Sequence, residues 1–305
     1  MKNYKLALIV FVSLILFHSN PSYSKQTIQT KVYDLYEPDS TNANYQVLSL
    51  IDGLVYELNS DSASVATIKK AFSDKLTIEL TVNEDSLVIE EAKVLKSKAN
   101  SALSQSLNQL ESVFSDQKEE DDNNDRLPIQ NPDLTFPTTR VSTMQEATNL
   151  YESLTQRLSR RSQCYQRAHV WAHHLFTRYN VYSMKVFLFF SKKYIREYRY
   201  KWWFHVSPYI YVNDAEVTLD YTFTETPLEM KNWTDVFIYS KKACPSVARY
   251  PEYELKNANG SADCYLLKVP MYYYQPMHIE ERDVEGAYLT HFRSIDIEHS
   301  RKALR

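Results

Sequence analysis

An acidic run followed by closely spaced prolines divides this chain of 305 residues into two folding units. Residues 118–125 read Lys-Glu-Glu-Asp-Asp-Asn-Asn-Asp, and so many charges cannot be buried together. Pro128, Pro132 and Pro137 follow, and they interrupt any regular helix or strand. The sequence therefore predicts a linker over residues 116–140, with a folded unit on each side of it.

The first 24 residues have the order of a secretory signal peptide. Lys2 and Lys5 give a positive start, an apolar run extends from Leu6 to Phe17, and Ser22-Tyr23-Ser24 supplies small residues before a cleavage site. The apolar run is too short to cross a bilayer, which needs about 20 residues. We therefore expect a periplasmic or secreted protein whose mature chain has no membrane span.

The overall composition excludes several classes of function. A formal net charge of −3 gives no basis for nucleic-acid binding, which needs a clustered basic surface. With only 3 glycines, the chain has too few for a glycine-rich phosphate loop. The hydrophobic share of 44% is that of a soluble globular chain. We expect a soluble monomer without a nucleic-acid partner.

The N-terminal unit, residues 25–115, is predicted to be a small α+β domain. Apolar and polar residues alternate over 76–82, as in a half-buried strand, and residues 65–72 have weak helical spacing. Residues 90–110 are predicted to form a longer, polar helix. Because no group of residues here suggests chemistry, an accessory or regulatory role is expected.

The second unit, residues 141–305, begins with helices and continues with strands. Thr143 and Glu146 have the spacing of a capping box at a helix start. A further helix is predicted from an N-cap at Ser162 to about Tyr179. Later apolar runs predict the strands Val181–Phe190, Tyr198–Phe204, Val206–Val212, Ala215–Phe223, Val236–Tyr239 and Tyr265–Val269. Helices followed by an antiparallel sheet make an α+β domain.

The three cysteines indicate one disulfide and one free thiol. An exported chain meets an oxidising environment, where an odd count leaves one cysteine over if the other two pair. Cys244 and Cys264 lie close together in the strand-rich region, and Cys164 stands alone far upstream. We predict that Cys244 pairs with Cys264 and that Cys164 stays free.

Cys164 falls in the first turn of its predicted helix, on the side turned toward the sheet. Unpaired N–H groups and the positive end of the helix dipole favour a thiolate there, and they can also bind an oxyanion. His205 in an apolar strand and Asp220 on the next predicted strand could serve as base and orienting carboxylate. This order of Cys, His and Asp is that of papain-like and transglutaminase-like hydrolases.

Two segments resemble the bacterial protein-glutamine glutaminases, or protein deamidases. Residues 164–169 read Cys-Tyr-Gln-Arg-Ala-His, and residues 203–208, directly after Trp202, read Trp-Phe-His-Val-Ser-Pro. In that family a Cys-Tyr-x-Arg-Ala-His helix start carries the nucleophile, and a Trp-x-x-His-Val strand carries the base. The third catalytic residue is an Asp that a Pro usually follows. Asp220 matches it, whereas Tyr221 occupies the proline position.

The resemblance covers residues 143–270, and it carries expectations about the whole chain. It implies a secreted enzyme with a transglutaminase-like or papain-like fold, in which the helix-borne cysteine packs on an antiparallel sheet. It also implies that no cofactor or metal is needed. Members of the family are made with an N-terminal pro-region over the active cleft, and residues 25–125 could be such a region.

The reaction that the resemblance implies is hydrolysis of a glutamine side-chain amide in a protein or peptide. Cys164 would attack the amide carbon, His205 would protonate the departing ammonia, and water would then cleave the thioester. Trp202, Trp203 and Tyr209 could wall the slot for the glutamine stem, although aromatic residues on strands more often belong to the core. A transglutaminase or a cysteine protease would use the same triad, and an inactive binding module would keep only the fold. These alternatives remain open.

Asp214 competes with Asp220 as the carboxylate that serves His205. If Asn213 and Asp214 form the two-residue turn of a hairpin, His205 lies opposite Thr222, and Asp220 becomes its diagonal neighbour. Asp214 would then lie about 30 Å away along the strand. Asp220 is therefore the predicted partner.

His169 and His173 are spaced four residues apart on the helix that carries the cysteine, which resembles part of a zinc site. No glutamate follows His169 as it does in a His-Glu-x-x-His site, and no third ligand is evident. We predict a structural pair and no metal.

Overall fold

The computed structural model describes residues 24–95, 136–154, 162–260 and 262–303. Residues 1–23 of the predicted signal peptide and residues 116–135 of the predicted linker lie outside these ranges, so both remain predictions. Within the described residues the fold is mixed α+β, as expected, and is built on two sheets.

The first sheet is antiparallel and belongs to the N-terminal part of the chain. Its strands are β1 (Lys25–Tyr36), β2 (Tyr45–Ser49), β3 (Val55–Leu58), β4 (Thr77–Asn83) and β5 (Ile89–Val94). They lie in the order β3-β2-β1-β4-β5. Helix α1 (Val65–Ser73) connects β3 to β4 and packs Ile68 and Ala71 on the sheet.

Residues 90–94 belong to strand β5, where the sequence predicted the start of a helix. Ala92 pairs with Leu80, and Val94 pairs with Ile78. Ala92 and Val94 therefore pack on the core of the sheet, while the glutamate and lysine that alternate with them are exposed. Pairing with β4 outweighs the helix preference of these charged residues. The rest of the predicted helix lies outside the described residues.

The second sheet belongs to the C-terminal part of the chain. Its strands are β6 (Arg140–Val141), β7 (Met184–Phe190), β8 (Phe204–Val212), β9 (Ala215–Thr218), β10 (Leu228–Glu229), β11 (Ser246–Val247) and β12 (Cys264–Pro270). The order is β10-β9-β8-β7-β12-β11, and β6 also pairs with β8. The central ladders are antiparallel as predicted, but the two-residue strands β6 and β11 pair in parallel with β8 and β12.

The helices of this part include the two that the sequence predicted. They are α2 (Met144–Glu152), α3 (Cys164–Tyr179), α4 (Lys192–Tyr198), α5 (Met230–Phe237), α6 (Tyr250–Asn259), α7 (Pro276–Glu285) and α8 (Ser294–Ala303). The predicted capping box is present at α2, where the side chain of Thr143 accepts the backbone N–H of Glu146. Helix α3 contacts both β8 and α8.

Two segments predicted as strands lie mostly in the connections that follow helices. The predicted strand Tyr198–Phe204 overlaps the end of α4 and the connection to β8, and the predicted strand Val236–Tyr239 overlaps the end of α5. Helix α4 begins because the hydroxyl of Ser191 accepts the backbone N–H of Tyr194 at 3.1 Å. Helix α5 buries residues at helical spacing, a pattern that short windows do not separate from a buried strand.

The predicted disulfide joins Cys244 to Cys264, and Cys164 is a free thiol. The bond ties the segment before β11 to the first residue of β12 and closes a loop that contains α6. A loop of this size stabilises the folded state by about 3 kcal/mol in the chain-entropy view.

One of the buried apolar clusters joins the two sheets. Tyr36, Leu48 and Val55 of the first sheet belong to the same buried cluster as Trp203, which directly precedes β8. The connection between β2 and β3, residues 50–54, is thereby held against the chain that enters β8. This contact brings the N-terminal part of the chain to the place where the predicted catalytic residues lie.

Candidate active site

The nucleophile predicted from the sequence is the first residue of α3. The N-cap of this helix is Gln163 rather than Ser162, because Gln163 has an extended backbone and donates its N–H to Oε1 of Gln166 at 2.8 Å. The carbonyl of Ser162 instead accepts a hydrogen bond from the guanidinium of Arg167. Cys164 is partly exposed at this helix start, where free backbone N–H groups favour negative charge.

His205 lies between the thiol of Cys164 and the carboxylate of Asp220. The Nε2 of His205 donates to Oδ2 of Asp220 at 2.6 Å, and both side chains are buried. His205 also has a side-chain hydrogen bond with Cys164. Because Nε2 is engaged by Asp220, Nδ1 is the ring nitrogen left to face the sulfur. The structure thus brings the three predicted catalytic residues together.

Asp220 reaches His205 by a different route from the one predicted. The hairpin has the predicted register, with Val212 paired to Ala215 and Tyr209 paired to Thr218. Strand β9 then ends at Thr218, so the ladder does not extend to the expected pairing with His205. The backbone carbonyl of Asp220 instead accepts N–H groups from the two residues of a following turn, at 3.3 and 3.1 Å.

Asp214, the competing carboxylate, lies at the exposed hairpin turn. Its side chain is fully exposed and forms an ion pair of 2.9 Å with Arg140. Asp220 is therefore the carboxylate in contact with His205.

His205 and Asp220 each stabilise the charged form of the other. Burial alone would lower the pKa of His205, because a buried site disfavours the charged ring. The charge of Asp220 and the hydrogen bonds with Asp220 and Cys164 outweigh burial and raise this pKa to about 9. Burial raises the pKa of Asp220, but the charge of His205 and the hydrogen bonds from His205 and Trp233 lower it overall. Near neutral pH His205 is therefore protonated and Asp220 ionised.

A cavity of about 360 Å³ opens beside Cys164 and His205. On the side of the second sheet it is also lined by Ser162, Gln163, Arg167, Trp202, Phe204, Thr222 and Phe223. The ring centroids of Trp202 and Phe223 lie 6.3 and 5.0 Å from that of His205. A slot with aromatic walls beside a thiol suits a slender, largely apolar side chain with a polar end.

The N-terminal part of the chain forms the remaining wall. It contributes Gln26, Asp52, Leu54 and Glu84. Backbone N–H groups of Trp203 and Val55 donate to the carbonyls of Gly53 and Lys201 at 3.1 and 2.9 Å. The hydroxyl of Tyr165, the neighbour of Cys164, donates to the carbonyl of Ile51 at 2.6 Å. The β2–β3 connection is thus bonded to both sides of the cavity.

The three aromatic residues predicted to wall the substrate slot lie in different places. Trp202 lines the cavity and stacks on His205. Trp203 is fully buried, stacks on Tyr33 at 4.0 Å and does not line this cavity. Tyr209 is also buried in the core and lies four residues along β8 from His205, about 13 Å at the rise of a strand. Only Trp202 among the three is in a position to touch a ligand in this cavity.

Sequence reasoning missed several residues of the site. Phe223 and Thr222 lie in the turn after Asp220, and their nearness to it in the chain was the available signal. Trp233 comes from a helix that had not been predicted, and Asp52 comes from the other sheet. No local pattern marks either of these residues as part of the site.

His169 is a buried partner of a lysine. Its Nδ1 lies 2.7 Å from Nζ of Lys185, in the core below α3. Within the described ranges, no group of three or more His, Cys, Asp or Glu side chains could hold a metal ion. Across the same ranges, no helix is long and apolar enough to cross a membrane.

Comparison with known proteins gives a family match over the candidate site. Residues 139–237, about a third of the chain, match a family model described as Glutaminase. Among solved structures, a pro-protein-glutaminase crystal structure aligns with 11% identity and a TM-score of 0.49, covering 87% of this chain and 86% of that one. The NMR structure of protein-glutaminase from Chryseobacterium proteolyticum aligns with 14% identity and a TM-score of 0.35, covering 54% and 86%. No curated protein matches the chain.

The matched segment holds Cys164, His205 and Asp220, so the family match and the hydrogen-bonded group concern the same residues. The resemblance noted from the two sequence motifs is confirmed by this match. Residues 139–237, which hold these three residues, are therefore similar to the glutaminase family, and the match supports a hydrolase that acts on side-chain amides.

Proposed function

We propose that this protein is an exported enzyme that deamidates glutamine side chains in proteins or peptides through a Cys164–His205–Asp220 triad. The observation that carries the proposal is the placement of His205 between Cys164 and Asp220, within the segment that matches the glutaminase family. A base within reach of a thiol, itself held by a third group, is the arrangement that activates a nucleophilic cysteine.

The first half of the reaction forms a thioester. The sulfur of Cys164 attacks the amide carbon of a glutamine side chain, and the carbonyl oxygen becomes an oxyanion near the N-terminus of α3. The carbon–nitrogen bond then breaks as protonated His205 gives its proton to the nitrogen, which leaves as ammonia. Asp220 stabilises the ring in its charged form and fixes its orientation.

The second half restores the thiol. Neutral His205 takes a proton from a water molecule, whose oxygen attacks the thioester carbon. The carbon–sulfur bond breaks, a glutamate side chain is released, and the proton on His205 is again shared with Cys164. No cofactor takes part in either half. Trp202 and Phe223 wall the cavity beside the thiol, where they would contact the methylene groups of the glutamine.

The N-terminal part of the chain is proposed to restrain this activity. The supporting observation is that the β2–β3 connection closes one side of the cavity and bonds to Trp203 and Tyr165. A protein substrate would need the space that this connection fills. Export to the periplasm or the medium is part of the proposal, supported by the signal-like N-terminus and the Cys244–Cys264 disulfide.

Ammonia release from a glutamine-rich protein is the test. The mature chain is assayed before and after limited proteolysis, and mass spectrometry locates the deamidated residues and checks for cut or cross-linked products. We expect ammonia and deamidated glutamine without cleavage or cross-links, and none with Cys164→Ala. Cross-linked or cleaved products would identify the transglutaminase or protease alternative. A folded protein with no activity in either form would identify an inactive binding module.

A further inference from the structure

The carboxylate of Asp220 has a second donor besides His205. The indole Nε1–H of Trp233 donates to Oδ2 of Asp220 at 2.9 Å, and this is the same oxygen that accepts His205 at 2.6 Å. Trp233 lies on α5 and is fully buried. Two donors from different elements therefore converge on one oxygen of the buried carboxylate.

Asp220 depends on such contacts for its orientation. The ladder of β9 ends at Thr218, and the last backbone hydrogen bond to β8 is donated by Leu219 to the carbonyl of Pro208 at 2.9 Å, so Asp220 itself is not paired with β8. A buried carboxylate with one donor can rotate about its side-chain bonds. A second donor approaching from another direction limits that rotation, as in charge-assisted networks generally.

Helix α5 is itself firmly attached on the side that faces the triad. The carbonyl of Phe237 accepts the hydroxyl of Tyr194 on α4 at 2.9 Å, and the ring of Phe237 lies 4.5 Å from that of His205. A rigid element that supplies a donor to a catalytic carboxylate is the kind of support that keeps an active site in one geometry.

We infer that Trp233 is a positioning residue, whose indole N–H holds the carboxylate of Asp220 so that the ring of His205 keeps one orientation toward Cys164. The inference rests on the proposed function, because it assigns Trp233 a role in that reaction. Trp233 is buried, does not line the cavity and touches no reacting atom, so it acts through Asp220.

The hydrogen bond also has an electrostatic consequence. The indole N–H draws charge from the oxygen that stabilises protonated His205, and it helps to keep the pKa of Asp220 low. Without it, the full charge of Asp220 acts on His205, whose pKa then rises above its present value of about 9. A more basic ring gives its proton less readily to departing ammonia, so turnover falls.

The test removes the indole N–H in two ways. Trp233→Phe removes the donor, and incorporation of benzothienylalanine at the same position removes it while keeping the shape of the indole. Ring nitrogens of histidine are labelled with ¹⁵N and titrated by NMR, and kcat and KM are measured against pH. We expect the pKa of His205 to shift by roughly half a unit or more, upward where Asp220 stays in contact with the ring and downward where it turns away. We also expect kcat to fall roughly tenfold, within the usual range of proton-transfer contributions, with KM nearly unchanged.

Trp203→Phe is the matched control. Trp203 is also fully buried, and its Nε1–H donates to the carbonyl of Ser49 at the same distance of 2.9 Å. Its loss removes a comparable hydrogen bond without touching Asp220, so the pKa of His205 should stay in place. An unchanged His205 titration in both position-233 variants, or an equal shift in the control, overturns the inference. The titration needs no turnover, so it tests Trp233 even if the wild-type protein releases no ammonia, a result that would reject the proposed function instead.

Discussion

The ring of His205 has polar partners at its nitrogens and aromatic rings around it. Both nitrogens are taken, by Asp220 and by Cys164, while the rings of Trp202, Phe223 and Phe237 lie 6.3, 5.0 and 4.5 Å away. Aromatic faces attract a cation and exclude water. A proton on this ring therefore exchanges with the thiol side or stays shared with Asp220, as an acid–base catalyst requires.

Substitution of Asp220 and of Asp214 tests which of the two aspartates serves His205. Asp220→Asn keeps the shape but removes the charge that holds protonated His205, so we expect turnover to fall by roughly 10⁴-fold, as when other triad aspartates become asparagine. Asp214→Asn should leave turnover almost unchanged, because its exposed side chain pairs with Arg140 at the hairpin turn. The measurement is kcat on a glutamine-rich protein, with the melting temperature as a check on folding. Near-normal turnover in Asp220→Asn would show that the triad is misassigned.

Among the structural elements, the β2–β3 connection behaves as a short additional strand against the second sheet. Leu54 forms an antiparallel bridge with Trp202, and hydrogen bonds from Val55 to Lys201 and from Trp203 to Gly53 extend it. Backbone pairing of this kind gives affinity with little dependence on side chains. It fits the proposal that this connection holds the N-terminal part of the chain over the cavity.

Gly53 is the position at which this contact can be weakened. Its φ is +71°, and an added Cβ would lie 2.8 Å from a ring carbon of Phe204. Gly286 has a similar φ of +73°, but open space surrounds it. Alanine at either position is strained in the backbone, and at Gly53 it also collides with the cavity wall, at a further cost of about 1–3 kcal/mol.

If the connection restrains the enzyme, Gly53→Ala should raise both the ammonia-release rate and the alkylation rate of Cys164 at least several-fold. Gly286→Ala provides the control for backbone strain and should leave both rates close to those of the wild type. Equal rates in all three proteins would mean that the connection does not limit access to the cavity.

The elements differ in how far the sequence could predict them. The start of α2, the β8–β9 hairpin and the disulfide followed from local rules, because capping, turn and cysteine chemistry act over short distances. Strand β5 did not, because pairing with β4 decided it, and helix α4 did not, because burial of Tyr194 and Ile195 in the core adds to its local cap. Cys164 and His205 lie in sequence motifs and could be predicted. Trp233 could not, because only tertiary folding brings it to Asp220.

At the scale of the whole molecule, a buried polar network joins the C-terminal helices to the base of α3. Nζ of Lys185 on β7 donates to the carbonyl of Tyr273 at 2.7 Å and lies 2.7 Å from Nδ1 of His169. Nearby, Arg293 donates to Nε2 of His278 at 2.8 Å. The basic groups of this network are buried, so each must either be neutral or be paired with an opposite charge. Folding of this region is therefore linked to pH.

The histidines of the network are expected to make the protein sensitive to acid. Burial is the main reason why the pKa values of His169 and His278 lie well below the ordinary value. The nearby charges of Lys185 and Arg293 lower both pKa values further. The unfolded chain takes up protons at these residues near pH 6.5, while the folded chain does not. Their contribution to stability is therefore present above about pH 6.5 and is lost as pH falls, at about 1.4 kcal/mol per pH unit for each histidine.

Comparing variants isolates this effect from other groups. Burial raises the pKa of Glu281 to about 7, so this carboxyl adds to stability as pH falls, opposite to the histidines. The pH dependence of the unfolding free energy of the wild type therefore combines several contributions. His278→Asn removes one buried titration, and it should flatten the decline of unfolding free energy between pH 6.5 and 5 by about 1.4 kcal/mol per pH unit. Urea unfolding at a series of pH values measures this slope, and His291→Asn, at an exposed histidine, is the control and should leave it unchanged. If His278→Asn declines with acid as steeply as the wild type, His278 is already protonated in the folded chain and the network holds a charged ring.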